Sequence, residues 1–175
     1  MIVGALLAAG ASRRFGPQDK LLATLKERPL VAHAAERLAR APLDCCFAVV
    51  SSDTVAQAVG METVRIPAGG GQADSLVAAI RHLPPQTTHL LIALGDMPYL
   101  RDDDLALILD GDGPRCAVAE GHVSPPALFP KAWFPRLLAL RGDEGAGRLL
   151  RDHPGAHCPL PAASLRDIDR PGDLG

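Results

Sequence analysis

Residues 2–20 read IVGALLAAGASRRFGPQDK, and the fold turns on how the two halves of this stretch are read. The first half, 2–8, is a near-continuous apolar run of strand length, the composition of a strand buried on both faces of a parallel sheet. The second half stops that strand abruptly and displays Arg13, Arg14 and Lys20 around Gly10 and Gly16. Glycines let a backbone turn tightly and aim its N–H groups at anionic oxygens, and the cationic side chains can neutralise them. The loop is thus either a solvated turn or a phosphate cradle. It is not a P-loop, because five residues rather than four separate its glycines and no lysine follows the second; a G-x-G-x-x-G is also missing.

Outward from this stretch, apolar runs alternate with amphipathic segments. Candidate strands are 2–8, 45–51, 62–67, 89–94, 115–120 and 156–160. Candidate helices are 29–40, opened by Pro29 in its first turn, then 53–59, 74–83, 102–109, 131–140 and 145–152. Strands alternating with helices give an α/β fold with a mainly parallel sheet. The 16 prolines and 17 glycines are scattered among the turns of a 175-residue chain, so a single domain over 1–175 is expected.

Composition narrows the function. Aromatic residues make up 3% of the chain, too few for a base-stacking nucleic-acid surface. A formal net charge of −2 supplies no broad basic field, so an anion site must be built locally, for a small ligand. The apolar N-terminal run lacks a basic n-region and is short for a membrane span, so the expectation is a cytoplasmic protein with no membrane segment. Four cysteines without a C-x-x-C read as buried free thiols. The six histidines form no H-x-x-x-H, and no G-x-S-x-G supports a serine nucleophile. Trp133 and Phe134 read as anchors of a helix in the core.

In open α/β sheets ligands bind beyond the carboxyl ends of the strands, which singles out two further loops. In LGDMPYL, 94–100, Asp96 follows a buried strand, where a carboxylate is costly unless hydrogen-bonded, solvated or bound to a metal. In LRDIDRPGDL, 165–174, Asp167 and Asp169 alternate on an extended stretch and share a face. Either could complete a magnesium site, since this hard cation takes one or two carboxylates plus nucleotide phosphates. Asp169 could instead cap a final helix opened by Pro171.

Together these motifs resemble the nucleotidyltransferases of the molybdenum-cofactor type, the MobA-like transferases, and within them the molybdenum cofactor cytidylyltransferases. The opening signature of that family, L-A-A-G-x-S-x-R-(M/F)-G-x-x-K-L, is met by Leu7, Ala8, Ala9, Gly10, Ser12, Arg14, Phe15, Gly16, Lys20 and Leu21, with one extra residue before the lysine. Its G-D-M-P falls at 95–98 and its D-(I/V)-D-T-P-E-D-L at 167–174, with Arg170 for Thr and Gly172 for Glu. Residues 69–76, GGGQADSL, and 126–150 are similar to its G-x-x-x-S-L loop and its substrate-side segment. The resemblance implies a Rossmann-like three-layer α/β/α fold and magnesium-dependent transfer of a nucleoside monophosphate to a phosphorylated acceptor. Arg14, Lys20 and Asp96 would then be catalytic, and Asp96 and Asp169 would carry Mg2+. Leu7, Ala8, Ala9, Gly10, Ser12, Gly71 and Ser75 would bind the nucleotide.

The related guanylyltransferases open with L-A-G-G, whereas Ala9 precedes Gly10 here, so CTP is favoured over GTP. The implied acceptor is a phosphorylated pterin, the molybdopterin cofactor, received between Ser124 and Phe134, with a molybdoenzyme or its chaperone downstream. The chain departs from the family at GHVSPPALF, 121–129, and in ending at Gly175 without the family's last helix. A glycosyltransferase using the D-x-D of 167–169 and a non-catalytic nucleotide-binding module are the alternative readings.

Overall fold

The computed structural model describes residues 1–10 and 19–174. Its elements in chain order are β1 (Ile2–Ala8), a small hairpin of β2 (Thr24–Leu25) and β3 (Arg28–Pro29), α1 (Leu30–Arg40), β4 (Cys45–Val50), α2 (Asp53–Val59) and β5 (Thr63–Arg65). There follow α3 (Gln72–His82), β6 (His89–Leu94), α4 (Asp102–Leu109), β7 (Arg115–Ala119), β8 (His122–Pro130), α5 (Phe134–Leu138), α6 (Gly147–Arg151) and β9 (His157–Pro159).

Seven strands form one sheet in the order β5-β4-β1-β6-β8-β7-β9, all parallel except β8, which runs antiparallel to both its neighbours. The chain winds outward from β1 through β4 to β5, then crosses back to place β6 on the other side of β1. That reversal leaves a crevice beyond the carboxyl ends of β1 and β6. The α/β expectation holds, and the layers follow from side-chain alternation along the strands. Leu6 and Ala8 of β1 face α1, α2 and α4, while Val3 and Ala5 face α3, α5 and α6. Within α1, Leu30, Ala34 and Leu38 with Val31 and Ala35 form the buried stripe, and Glu36, Arg37 and Arg40 take the solvent side. Each leucine buried completely, as Leu6, Leu38, Leu90 and Leu128 are, contributes about 1.5–3 kcal/mol relative to exposure.

Several sequence expectations change. Pro29 ends the hairpin and stands just before α1, not inside its first turn. The helix expected over 131–140 is a 3-10 turn at Lys131–Trp133 followed by only Phe134–Leu138. Strand β8 was absent from the candidate strands because Pro125 and Pro126 interrupt its pattern; prolines have no N–H for a ladder. The structure accommodates them as an irregularity, with Cys116 of β7 opposite Ala127 and Ala117 opposite Ser124. Pairing with β6 also reaches only to Ala127, so the sheet opens at these prolines. All four cysteines are free as expected, but Cys45 is exposed and Cys46 partly so, and only Cys116 and Cys158 are buried. Burial, helped by Cys158, pushes the Cys116 thiol up to about 11. Trp133 packs against Phe129 and His153, and Phe134 is buried, as a core role requires. No helix among the described residues is long and apolar enough to cross a membrane.

Gly4 lets α1 and the chain after it settle on β1, because a Cβ there would come within 2.6 Å of Leu43 Cδ1 and 3.1 Å of Leu38 Cδ1. Gly4→Ala should therefore destabilise the fold by about 1–3 kcal/mol through overpacking. Combined with Leu43→Ala, the added methyl should cost markedly less. Urea midpoints of the four proteins in this cycle measure the coupling; strict additivity would contradict the steric account.

Candidate active site

Three chain segments converge at the crevice, each held by its own local device. In the first, the Asp19 side chain accepts from Leu21 N–H at 3.0 Å and caps a short 3-10 turn, Lys20–Leu22. Leu21 is buried, which fixes the direction of its neighbour Lys20. In the second, Gly95 N–H continues the β1–β6 ladder onto Leu7 O at 3.0 Å. A Cβ on Gly95 would meet Val31 Cγ2 at 3.1 Å and Ala8 Cβ at 3.2 Å, so glycine lets the turn sit tight under α1 and present Asp96. In the third, Ile168 N–H donates to Asp96 O at 3.0 Å, and the Ile168 side chain is fully buried with Leu25 and Leu30. That anchor brings Asp167 and Asp169 beside Asp96 from far along the chain.

The Lys20 ammonium donates to Asp96 Oδ2 at 2.6 Å and to Asp169 Oδ1 at 3.0 Å. The Asp173 side chain accepts from the N–H groups of Asp169 at 3.0 Å and Arg170 at 2.8 Å, and the segment Pro171–Leu174 is a 3-10 turn. Burial works to lower the Lys20 pKa, yet Asp96 and Asp169 outweigh it and hold the ammonium above its ordinary range. Burial and then the charges of Asp169 and Asp96 raise the Asp167 pKa as well, which for a carboxylate disfavours the charged form.

One oxygen from each of Asp96, Asp167 and Asp169 lies within 4.8 Å of the others. Asp96 Oδ1 is buried and accepts no hydrogen bond among the described residues. A buried carboxylate oxygen left unsatisfied is expensive, and three converging carboxylate oxygens are the donor set of a hard divalent cation. The residues present fit such an ion.

These groups line a cleft of about 880 Å³. Of the residues singled out in the sequence, Leu7, Ala8, Gly10, Lys20, Gly71, Ser75, Asp96, Asp167 and Asp169 border it. Ala9 does not; it is buried in the layer beneath α3, because strand alternation turns its side chain inward. Ser12 and Arg14 lie outside the described residues. Of the stretch Ser124–Phe134, Pro125 alone reaches the cleft; Ala127, Leu128 and Phe129 are buried in the sheet. Lys131 N–H bonds Thr88 O at the far end of β6, so the remainder leads away from the site.

The cleft's second wall is the loop and helix from Asp143 to Arg151, at the end of the stretch similar to a substrate-side segment, although no single residue of it was named as a site. The glycine-rich, charged run GDEGAG at 142–147 was the signal for it. Gly142 O accepts from Ala73 N–H at 3.0 Å, and a Cβ on Gly71 would stand 2.1 Å from that same oxygen, so the absence of a side chain at Gly71 lets this loop cross the start of α3. Asp74 returns to accept from Gly71 N–H at 2.8 Å.

Residues 4–158 match the family described as the MobA-like NTP transferase domain. The chain is 30% identical to the purine catabolism protein PucB of Bacillus subtilis, over 97% of this chain and 92% of that one. It is 34% identical to a molybdenum cofactor guanylyltransferase of Cereibacter sphaeroides, over 75% of this chain and 70% of that one. Its fold matches the crystal structure of Rv0371c from Mycobacterium tuberculosis with a TM-score of 0.84 at 24% identity, covering 98% of this chain and 95% of that one. That protein has also been crystallised in complex with manganese. With a matching domain over most of its length, a related protein along nearly all of it, and a cleft at the switch of a Rossmann-like sheet, the chain belongs to the MobA-like NTP transferase family.

Proposed function

We propose that the protein is a magnesium-dependent nucleotidyltransferase that moves cytidine monophosphate from CTP to a phosphorylated pterin, the molybdopterin cofactor, and releases pyrophosphate. The observation that carries this reading is the buried Asp96 Oδ1, without a hydrogen-bond partner among the described residues, set among the converging oxygens of Asp167 and Asp169 in a cleft that Lys20 also borders. Membership of a family of NTP transferases supports the donor class, and a manganese complex of a structural neighbour supports a divalent metal.

In this reading Asp96 and Asp169 hold the magnesium, with Asp167 as a third oxygen beside them. A bound divalent ion supplies polarisation of phosphoryl oxygens and offsets negative charge on the leaving pyrophosphate. Lys20 carries three donors, so it can keep a carboxylate contact while turning others to the triphosphate. Arg14, by the resemblance, would share that task, and Gly10, Gly71 and Ser75 border the space for the nucleoside. An acceptor phosphate oxygen attacks the α-phosphorus, forming the new P–O bond as the bond to pyrophosphate breaks. The protein positions both partners and neutralises growing charge, and no protein nucleophile is required. The recipient of the product would be a molybdoenzyme or its chaperone, in the cytoplasm.

A second reading, GTP in place of CTP, is favoured by one specific observation, the guanylyltransferase relative at 34% identity. Pyrophosphate release measured with CTP, GTP and ATP, each with and without metal-loaded molybdopterin, decides between them. Pterin-dependent release with CTP is expected. Release with GTP alone would make the protein a guanylyltransferase, and release with none would favour a non-catalytic nucleotide-binding module.

Asp96→Asn should abolish transfer and remove the rise in Tm that Mg2+ produces, because the amide loses the charge a hard cation needs. Asp169→Asn should do nearly the same and Asp167→Asn less. Asp167 carries a raised pKa, and a carboxyl raised above its unfolded value opposes folding wherever it is ionised. Asp167→Asn should therefore raise the Tm of the metal-free protein at pH 7, an advantage that fades as pH falls through the carboxylate range. Full turnover of Asp96→Asn at saturating magnesium would sink the assignment.

Arg14→Ala and Lys20→Ala should each cost on the order of 2–4 kcal/mol in transition-state stabilisation, read from kcat/KM. Arg13→Ala should cost far less. Equal losses at Arg13 and Arg14 would instead indicate a diffuse electrostatic patch.

A further inference from the structure

The cleft has two walls of different character. One is built from the ends of β1 and β6 and from the start of α3, which lies over β1, β4 and β5. The other is α6, which lies over β7 and β8 and is pinned there by the fully buried Leu150. On α6, Arg148 and Arg151 stand three residues apart, share a side of the helix, and both border the cleft. The Arg148 guanidinium is ion-paired with Glu144, one helical turn back. Arg151 is exposed and makes no ion pair or hydrogen bond among the described residues.

We propose that Arg151 is the anchor for the phosphate group of the acceptor. The inference rests on the nucleotidyl-transfer reading and names the residue that holds its second substrate. A phosphomonoester brings close to two negative charges into a cleft that already contains three carboxylates and is to receive a triphosphate. It therefore needs a cation of its own, on the wall the nucleotide does not use. Arg151 is placed there, it has not spent its donors on a protein carboxylate, and its fork of N–H groups matches phosphate oxygens bidentately. Arg148 is less suited, since Glu144 already neutralises it. Pro125, on the neighbouring stretch of β8, offers the acceptor an apolar surface beside that cation.

Inorganic phosphate is the probe for this site, titrated calorimetrically into protein saturated with Mg2+ and a non-hydrolysable CTP or GTP analogue. Wild-type protein should bind it. Arg151→Ala should bind it at least ten-fold more weakly, and Arg151→Lys should fall between, since an ammonium keeps the charge but loses the fork. Affinity for the nucleotide analogue should be unchanged in both variants. With molybdopterin as acceptor, Arg151→Ala should lower kcat/KM for the pterin while leaving KM for the nucleotide alone. Equal phosphate affinity in wild type and Arg151→Ala, no phosphate binding by wild type, or a matching loss of nucleotide affinity would each overturn the proposal. Arg151-dependent phosphate binding without pyrophosphate release to any pterin would uphold the anchor while the pterin reading fails.

Discussion

Everything at the crevice depends on a single ammonium held between two carboxylates. Lys20 bridges Asp96 and Asp169, residues 76 and 149 positions away in the chain, and so ties the 3-10 turn at Lys20–Leu22, the end of β6 and the C-terminal segment into one structure. Half-buried charges are costly to desolvate, and such a bridge is stable only if its members are positioned by other forces. Here the burial of Leu21 and of Ile168 does that work, with the backbone bond from Ile168 to Asp96 O. Packing supplies the stability and the charges supply the chemistry. The same arrangement leaves Asp96 Oδ1 buried and without a hydrogen-bond partner among the described residues.

The cleft exists because the sheet is not allowed to close over it. Chain reversal around β1 separates the helices on either side of the switch, and the β6–β8 ladder stops at the Ile92–Ala127 pair, next to Pro126. A continuous ladder at that point would have drawn β8 alongside the β6 turn and narrowed the space in front of Asp96.

What the sequence revealed and what it hid follow from the range of the forces involved. Strands β1 and β6 and helices α2 and α4 matched their expected limits, because each is a local pattern: an apolar run for the strands, and for α2 the Ser52 cap, whose side chain accepts from Val55 N–H. Asp96, Asp169 and Lys20 were legible as strand-end residues and motif positions. Strand β8 was not, since two prolines cancel the local signal while tertiary pairing with β7 and with β6 restores the strand. Residues 131–140 read as one helix, yet Pro130 and Pro135 break the start into a 3-10 turn and leave a single short helical segment. The second wall was legible only coarsely, as the end of the stretch similar to a substrate-side segment. Long-range contacts set Asp143 to Arg151 at the site, among them Gly142 against Gly71, which no local periodicity reports.

That contact joins the two walls mechanically. The first N–H groups of α3 have no partners within the helix, and an N-terminus so placed at a cleft is suited to anionic or polar ligand atoms. One of these groups, Ala73 N–H, is instead taken by Gly142 O, and Asp74 takes the Gly71 N–H. Part of α3's binding capacity is therefore spent on holding the 142–147 loop, the segment that leads directly into α6. Because Gly142 O accepts from Ala73 N–H at 3.0 Å, and sits where only a glycine at 71 leaves space, the start of α3 and the loop are coupled through that bond. A ligand that orders Gly71 and Ser75 then also sets where Arg148 and Arg151 stand, so that occupancy of one wall shapes the other.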